Sequence, residues 1–150
     1  QGTEELAQGS DLAELKFHFE GLGQYGIGTT SYRSTVNMTY DEIFYVISPH
    51  MIAEASETQL KTAVSSHIAN SEKDKLLKLK KVGETRIGNF EVGDESFQTL
   101  KVQFKALGLI TKSVRNRSVK DKLTYWTLTP FGDTVMSRLR AVRKSSFKDN

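Results

Sequence analysis

The 150-residue chain contains no cysteine at all. That excludes disulfides, thiol nucleophiles and thiolate metal sites, and it suits a reducing compartment, so the cytoplasm is the expected location. No apolar run approaches the roughly 18 residues needed to cross a bilayer, and the N-terminus lacks the basic-then-apolar order of a secretory signal. Methionine is also missing from the start, Gln1-Gly2-Thr3-Glu4-Glu5. This reads as a fragment of a longer protein or a processed tag remnant, so an activity of the parent could lie upstream. Internal repeats and low-complexity segments are absent. Only two prolines occur, Pro49 and Pro130, and each stands where the first turn of a helix is expected. A hydrophobic share of 37% and a charged share of 26% are ordinary for a folded protein, if lean in apolar residues. The length suits one α+β unit or two very small modules sharing a core.

Charge is distributed unevenly. From Lys101 onward there are twelve Lys/Arg against three Asp/Glu, whereas residues 1–100 carry nine against fifteen. A basic C-terminal third implies a polyanionic partner or attraction between the two parts of the chain.

Local patterns divide the chain into three regions. In residues 1–40, Leu15, Phe17 and Phe19 alternate with Glu14, Lys16, His18 and Glu20, and Tyr32, Ser34, Val36 and Met38 alternate with Arg33, Thr35, Asn37 and Thr39. Both have the two-residue period of a half-buried strand, so a hairpin with a glycine-rich loop from Gly21 to Gly28 is expected. In residues 41–93, Thr39-Tyr40-Asp41-Glu42 and Ser56-Glu57-Thr58-Gln59 have capping-box spacing and predict two helix starts. Leu60, Ala63, Val64, His67 and Ile68 then form one helical stripe, ending by Lys81 or breaking near Asn70-Ser71, and the glycine-punctuated segment from Val82 to Gly93 reads as an extended connector or short strand. In residues 94–150, Asp94 caps a helix with the stripe Phe97, Leu100, Phe104 and Leu107, and Gly108 stops it. Leu109-Ile110 begins a strand, Ser113–Lys122 forms a polar hairpin tip, and Leu123–Leu128 returns. Thr129-Pro130 opens a last helix whose inward positions are expected to be Phe131, Val135, Leu139 and Val142, with Arg138, Arg140, Arg143 and Lys144 toward its negative end.

Helix, then Ala106-Leu107-Gly108-Leu109-Ile110, then a charged hairpin and Tyr125-Trp126-Thr127-Leu128-Thr129 followed by Phe131-Gly132, resembles the recognition helix, wing and closing helix of winged-helix proteins. Thr39–Phe44 with Ile47-Ser48-Pro49, together with Asp94–Thr99, is similar to the C-terminal region of uncharacterised bacterial proteins that carry an N-terminal Toll/interleukin-receptor-like domain. The resemblance implies an N-terminal β-hairpin and helices packed with a C-terminal winged-helix-like unit. It departs from a plain helix-turn-helix because the extended segment 82–93, rather than a short helix, leads into the presumed recognition helix.

No catalytic constellation emerges. Gly21-Leu22-Gly23-Gln24-Tyr25-Gly26-Ile27-Gly28 fits a phosphate-loop pattern, but a strand follows where the dinucleotide version needs a helix, so a hairpin loop is the simpler reading. His18, His50 and His67 lack ligand spacing, which leaves neither metal nor cofactor expected. The basic set is the candidate site. Gln98, Lys101, Gln103 and Lys105 fall off the apolar stripe and are expected to face outward, while Lys112, Arg115, Arg117, Lys120 and Lys122 crowd the wing. A non-enzymatic module binding duplex DNA follows, with the helix on base edges and the wing on phosphates. The alternative is a protein-interaction or oligomerisation module, with Met136, Leu139 and Val142 as a homodimer seam.

Overall fold

The structure, a computed structural model, describes residues 3–23 and 28–141. The middle of the glycine-rich loop (24–27), Val142, Arg143, Lys144 and the tail 145–150 lie outside the described residues.

Apolar residues at every second position make β1 (Leu12–Leu22), and its buried set is Ala13, Leu15, Phe17, Phe19 and Gly21. It pairs antiparallel with β2 (Thr29–Thr39), Leu12 opposite Thr39 and Leu22 opposite Thr29. Thr39 then accepts the Glu42 N–H at 3.0 Å and starts α1 (Tyr40–Ile47). The reciprocal arm of a capping box is absent there, because the Glu42 carboxylate instead meets His67 Nε2 at 2.7 Å. Pro49 sits in a 3-10 turn over Ser48–Met51. A two-residue strand, β3 (Ala55–Ser56), precedes α2 (Glu57–Leu77), whose capping box is complete: Ser56 accepts from Gln59 N–H and Gln59 accepts from Ser56 N–H. The helix runs unbroken through Asn70-Ser71 and buries Leu60, Val64 and Ile68 of the expected stripe.

The connector forms β4 (Ile87–Val92), which joins the first sheet in the order β2-β1-β4. Asn89, at φ 52°, accompanies a register shift opposite His18–Glu20, and its amide donates to Glu20 at 2.6 Å. A short polar side chain tolerates that left-handed backbone better than most. Gly93 N–H donates to Lys16 O at 2.8 Å, which holds residue 93 extended, so the cap of α3 (Asp94–Ala106) is Gly93 rather than Asp94. The expected Asp94 cap is thereby corrected, and its carboxylate pairs with Lys61. Gly108 lies at φ 76° just past the helix, as the sequence predicts.

The second sheet has the order β3-β6-β5, with β5 (Ile110–Lys112) and β6 (Tyr125–Leu128) as the hairpin around residues 113–124. Ala55 faces Trp126 and Ser56 faces Tyr125, a pairing with no local sequence signal. Thr129 caps α4 (Pro130–Arg140) by accepting from Gly132 N–H at 2.9 Å. The inward face of α4 differs from expectation. Gly132 and Met136 are buried, Val135 and Leu139 pack partly against the core, and Phe131 is 55% exposed. The cause is a close crossing, since Gly132 lies against the Leu109 carbonyl and turns residues 132 and 136 inward. Met136 therefore belongs to this chain's own core, which removes the first residue of the expected homodimer seam Met136, Leu139 and Val142.

A single buried cluster joins Leu15, Phe17 and Phe19 of β1 with Ile43 and Phe44 of α1, Leu60 and Ile68 of α2, Val92 of β4, Leu100 and Phe104 of α3, Trp126 of β6 and Met136 of α4. The architecture is α+β, two three-stranded antiparallel sheets bridged by helices.

The two C-terminal glycines make a discriminating test. A Cβ on Gly132 would lie 1.9 Å from Leu109 O, whereas one on Gly108 meets nothing within 4 Å but sits at positive φ. Gly108→Ala is expected to cost about 1–2 kcal/mol of left-handed backbone strain. Gly132→Ala should cost more, because backbone must move, and urea denaturation of both variants checks the order.

Candidate functional site

Two acidic side chains just ahead of and at the start of α2 organise the basic region. Glu57 Oε2 accepts from Lys101 Nζ at 2.7 Å and from Trp126 Nε1 at 2.9 Å, and the Lys101 ammonium stands 5.5 Å from the centre of the Trp126 ring. Glu54 accepts from the Ser113 hydroxyl at 2.6 Å and pairs with Arg117, whose guanidinium stacks 3.4 Å over the Tyr125 ring. Arg115 Nε lies at 4.0 Å from the same carboxylate. Glu57 thus ties the start of α2 to α3 and β6, and Glu54 ties the base of the β5–β6 loop to the connection before β3.

Both carboxyls titrate below the usual glutamate range. For Glu57 burial is the largest influence and pushes its pKa up, but the bonds from Lys101, Trp126 and Gln98 together overcome it. For Glu54 the Arg117 guanidinium acts first and the Ser113 hydroxyl second, against a smaller opposing effect of burial.

The nine residues singled out from the sequence fall into two groups. Lys101, Gln103 and Arg117 are engaged within the fold: Lys101 by Glu57, Gln103 by donating to Ala7 O at 2.8 Å, and Arg117 by Glu54. The expectation that Lys101 and Gln103 face outward is therefore corrected. Each lies beside the apolar stripe, close enough for a long side chain to reach a neighbouring element. Gln98, Lys105, Lys112, Arg115, Lys120 and Lys122 are exposed, although Gln98 also bonds Glu57 and Arg115 borders Glu54.

The exposed residues of α3 are then Asp94, Glu95, Gln98, Thr99, Val102, Lys105 and Ala106, which carry two acids and one base. Asp94 and Glu95 occupy its first turn, next to Glu91 and Lys61. The wing differs. Val114, Val119 and Leu123 are 93%, 85% and 53% exposed among Lys112, Arg115, Lys120 and Lys122. These three side chains place apolar surface in water among the bases of this loop.

A groove of about 560 Å³ between α1, the 3-10 turn and α2 is lined by His50, His67, Ser66, Thr62 and Asn70. Among the described residues no group of three or more metal-ligating side chains occurs, and no helix is long and apolar enough to cross a membrane. No protein-family model matches the chain, and neither a curated protein nor a solved structure matches it.

Glu54 and Glu57 were not singled out in the sequence because their partners lie 44 to 69 residues away. The one local hint is a pair of acids flanking a helix cap, which capping alone explains.

The depressed pKa values carry a pH signature. A carboxyl whose folded pKa is lowered stabilises the fold above its unfolded value, and that contribution is lost as pH falls through the folded one. Acid unfolding should therefore steepen below the ordinary glutamate value of 4.5. Glu57→Gln is expected to flatten that limb in thermal melts at stepped pH. An unchanged limb would remove the Lys101–Glu57–Trp126 tie from the account.

Proposed function

We propose that residues 40–140 are a non-enzymatic, winged-helix-like module that binds a protein partner through its wing. Support for the winged-helix-like reading comes from the order α1, β3, α2, β4, α3, β5, β6, in which only β4 departs from the pattern, and from β3 lying alongside β6, the far strand of the hairpin. The observation that carries the function is the composition of the exposed wing, three aliphatic side chains set among four exposed bases on a stem clamped by Glu54. Burying such aliphatics against a partner yields about 25 cal/mol per Å² of apolar surface, and bases around them select an acidic rim. A partner surface rich in Asp/Glu around an apolar patch is the chemical match.

Duplex DNA remains the second reading, favoured by exposed Lys112, Arg115, Lys120 and Lys122. Against it, the first turn of α3 is acidic, and two of the four side chains expected to read bases are occupied internally. A phosphate backbone also gives Val114 and Val119 nothing apolar to cover.

The two readings separate in one set of measurements. Peptides selected by display against the chain should alternate acidic and aliphatic residues. Their affinity should fall at least about tenfold, ~1.4 kcal/mol, in Val114→Ser with Val119→Ser, and also in Lys120→Glu with Lys122→Glu. A mixed-sequence duplex should bind weakly and be released between about 50 and 200 mM salt. Tight duplex binding that ignores the two valine substitutions would overturn the protein reading in favour of DNA.

A further inference from the structure

The two sheets treat their edges in opposite ways. In the second sheet both edge strands are minimal, two residues in β3 and three in β5. In the first sheet the β4 edge is blunted. Asn89 breaks its regular backbone, Val92 N–H donates to the Ser65 hydroxyl of α2 at 2.9 Å, and Lys61 of α2 pairs with Glu91. The opposite edge, β2, has no such device. Thr29–Thr39 runs eleven residues without proline, lysine, acid or bulge, and its only charge is Arg33. Among the described residues, no segment other than β1 hydrogen-bonds its backbone. Long, regular edges are what folded proteins ordinarily cover or interrupt, because unpaired N–H and C=O groups template further pairing.

Which groups point outward follows from the ladder. Gly23 N–H donates to Gly28 O at 3.2 Å, while Leu22 N–H donates to Arg86 O and Lys16 O accepts from Gly93 N–H on the β4 side. Odd residues of β1 therefore bond β2 and even ones face β4. On β2 the even residues bond β1, and the backbone groups of Ser31, Arg33, Thr35 and Asn37 face the open edge.

We infer that β2 pairs antiparallel with β2 of a second copy of this chain about a two-fold axis at Ser34, making one six-stranded sheet. Ser34 is the midpoint of the strand, so this register overlaps all eleven residues. It sets Arg33 opposite Thr35 of the copy, keeping the two arginines out of direct opposition, and it pairs outward-facing backbone with outward-facing backbone. On the core face it sets each half-buried Tyr32 opposite a half-buried Val36, an aromatic and β-branched cross-strand pair of the kind that stabilises sheets. Centring on Arg33 would instead oppose like charges. The partner is a second copy because the strand matches itself in this way, and the two-fold closes the assembly: the outer edges of the joined sheet are the blunted β4 strands. This face is separate from the wing.

The absence of cysteine makes the test unambiguous. At the axis, Ser34 faces its own copy in a non-hydrogen-bonded pair, with Cα atoms about 4.5 Å apart, inside the range a disulfide spans. Ser34→Cys under mild oxidation should give a covalent species of twice 16.8 kDa. Asn37→Cys should not, because the register offsets the two Cys positions by six residues, roughly 20 Å. Thr35→Pro removes an outward N–H without touching the β1 ladder. It should keep the circular dichroism of the parent while light scattering falls from the dimer mass to the monomer mass. Ser34→Cys that stays monomeric, Asn37→Cys that cross-links equally well, or a folded Thr35→Pro that remains dimeric would each overturn the proposal.

Discussion

The Glu57 carboxylate is the constraint on which the arrangement of the C-terminal half depends. It sits at the first residue of α2 and takes two donors from elements far along the chain, Lys101 on α3 and Trp126 on β6. Charge-assisted hydrogen bonds of this kind contribute on the order of 1.5–3 kcal/mol each, and leaving one donor unpaired at a partly buried site costs about as much. The Glu57 backbone N–H also donates to Thr124 O at 3.0 Å, so side chain and main chain hold β6 against the start of α2 from the same residue. With β6 fixed there, β5 is carried along by its ladder, and the loop between them leaves the body at a defined place.

The uneven charge of the sequence acquires a physical meaning from these ties. Acids of the first hundred residues neutralise bases of the last fifty at Glu57–Lys101 and Glu54–Arg117, and both pairs link segments that form no continuous helix or hairpin. Attraction between the two parts of the chain is thus partly internal. What remains on the surface is sorted by location: the α3 face is close to neutral, and exposed bases stand in the β5–β6 loop beside exposed aliphatics. A charge count over the whole C-terminal third overstates the cationic surface that α3 offers, because Lys101 is consumed and Asp94 and Glu95 border it.

Elements governed by short-range rules were legible from the sequence, and those governed by distant partners were not. The alternation in β1 and β2, the capping box at Ser56, the Gly108 stop and the Thr129-Pro130 start each involve residues within four positions of one another, and each has its expected form. The helix beginning near Asp94 was readable too, but its cap moved to Gly93 because Lys16, on another strand, fixes that residue. The face of α4 was misjudged for a similar reason. Spacing alone favours Phe131, whereas the contact of Gly132 with Leu109 O decides the rotation. β3 is two residues long and exists only because Tyr125 and Trp126 lie beside it, so periodicity had nothing to detect. Of the candidate site, the exposed bases of the wing were legible as a cluster; the distinction between free and engaged side chains depended on Glu54 and Glu57.

The treatment of strand edges shows how one sequence can separate what holds the fold from what it leaves available. β4 would be an open edge by topology, yet α2 packs along it and supplies both a hydroxyl for Val92 and a lysine for Glu91. This is also why residues 78–93 intervene between α2 and α3. A short turn there would leave β1 paired on one side only, and its row of buried aromatics, Phe17 and Phe19 stacked with Phe90 of β4, would lose one wall. The segment between α2 and α3 is therefore accounted for by the N-terminal hairpin. It supplies the third strand, and a two-stranded ribbon is marginal without one. The cost is an α3 whose first turn is fixed to a sheet, by Gly93 on Lys16 O and by the Ser96 hydroxyl on Lys16 N–H, before any ligand could meet it. A helix anchored in that way is suited to holding a scaffold together.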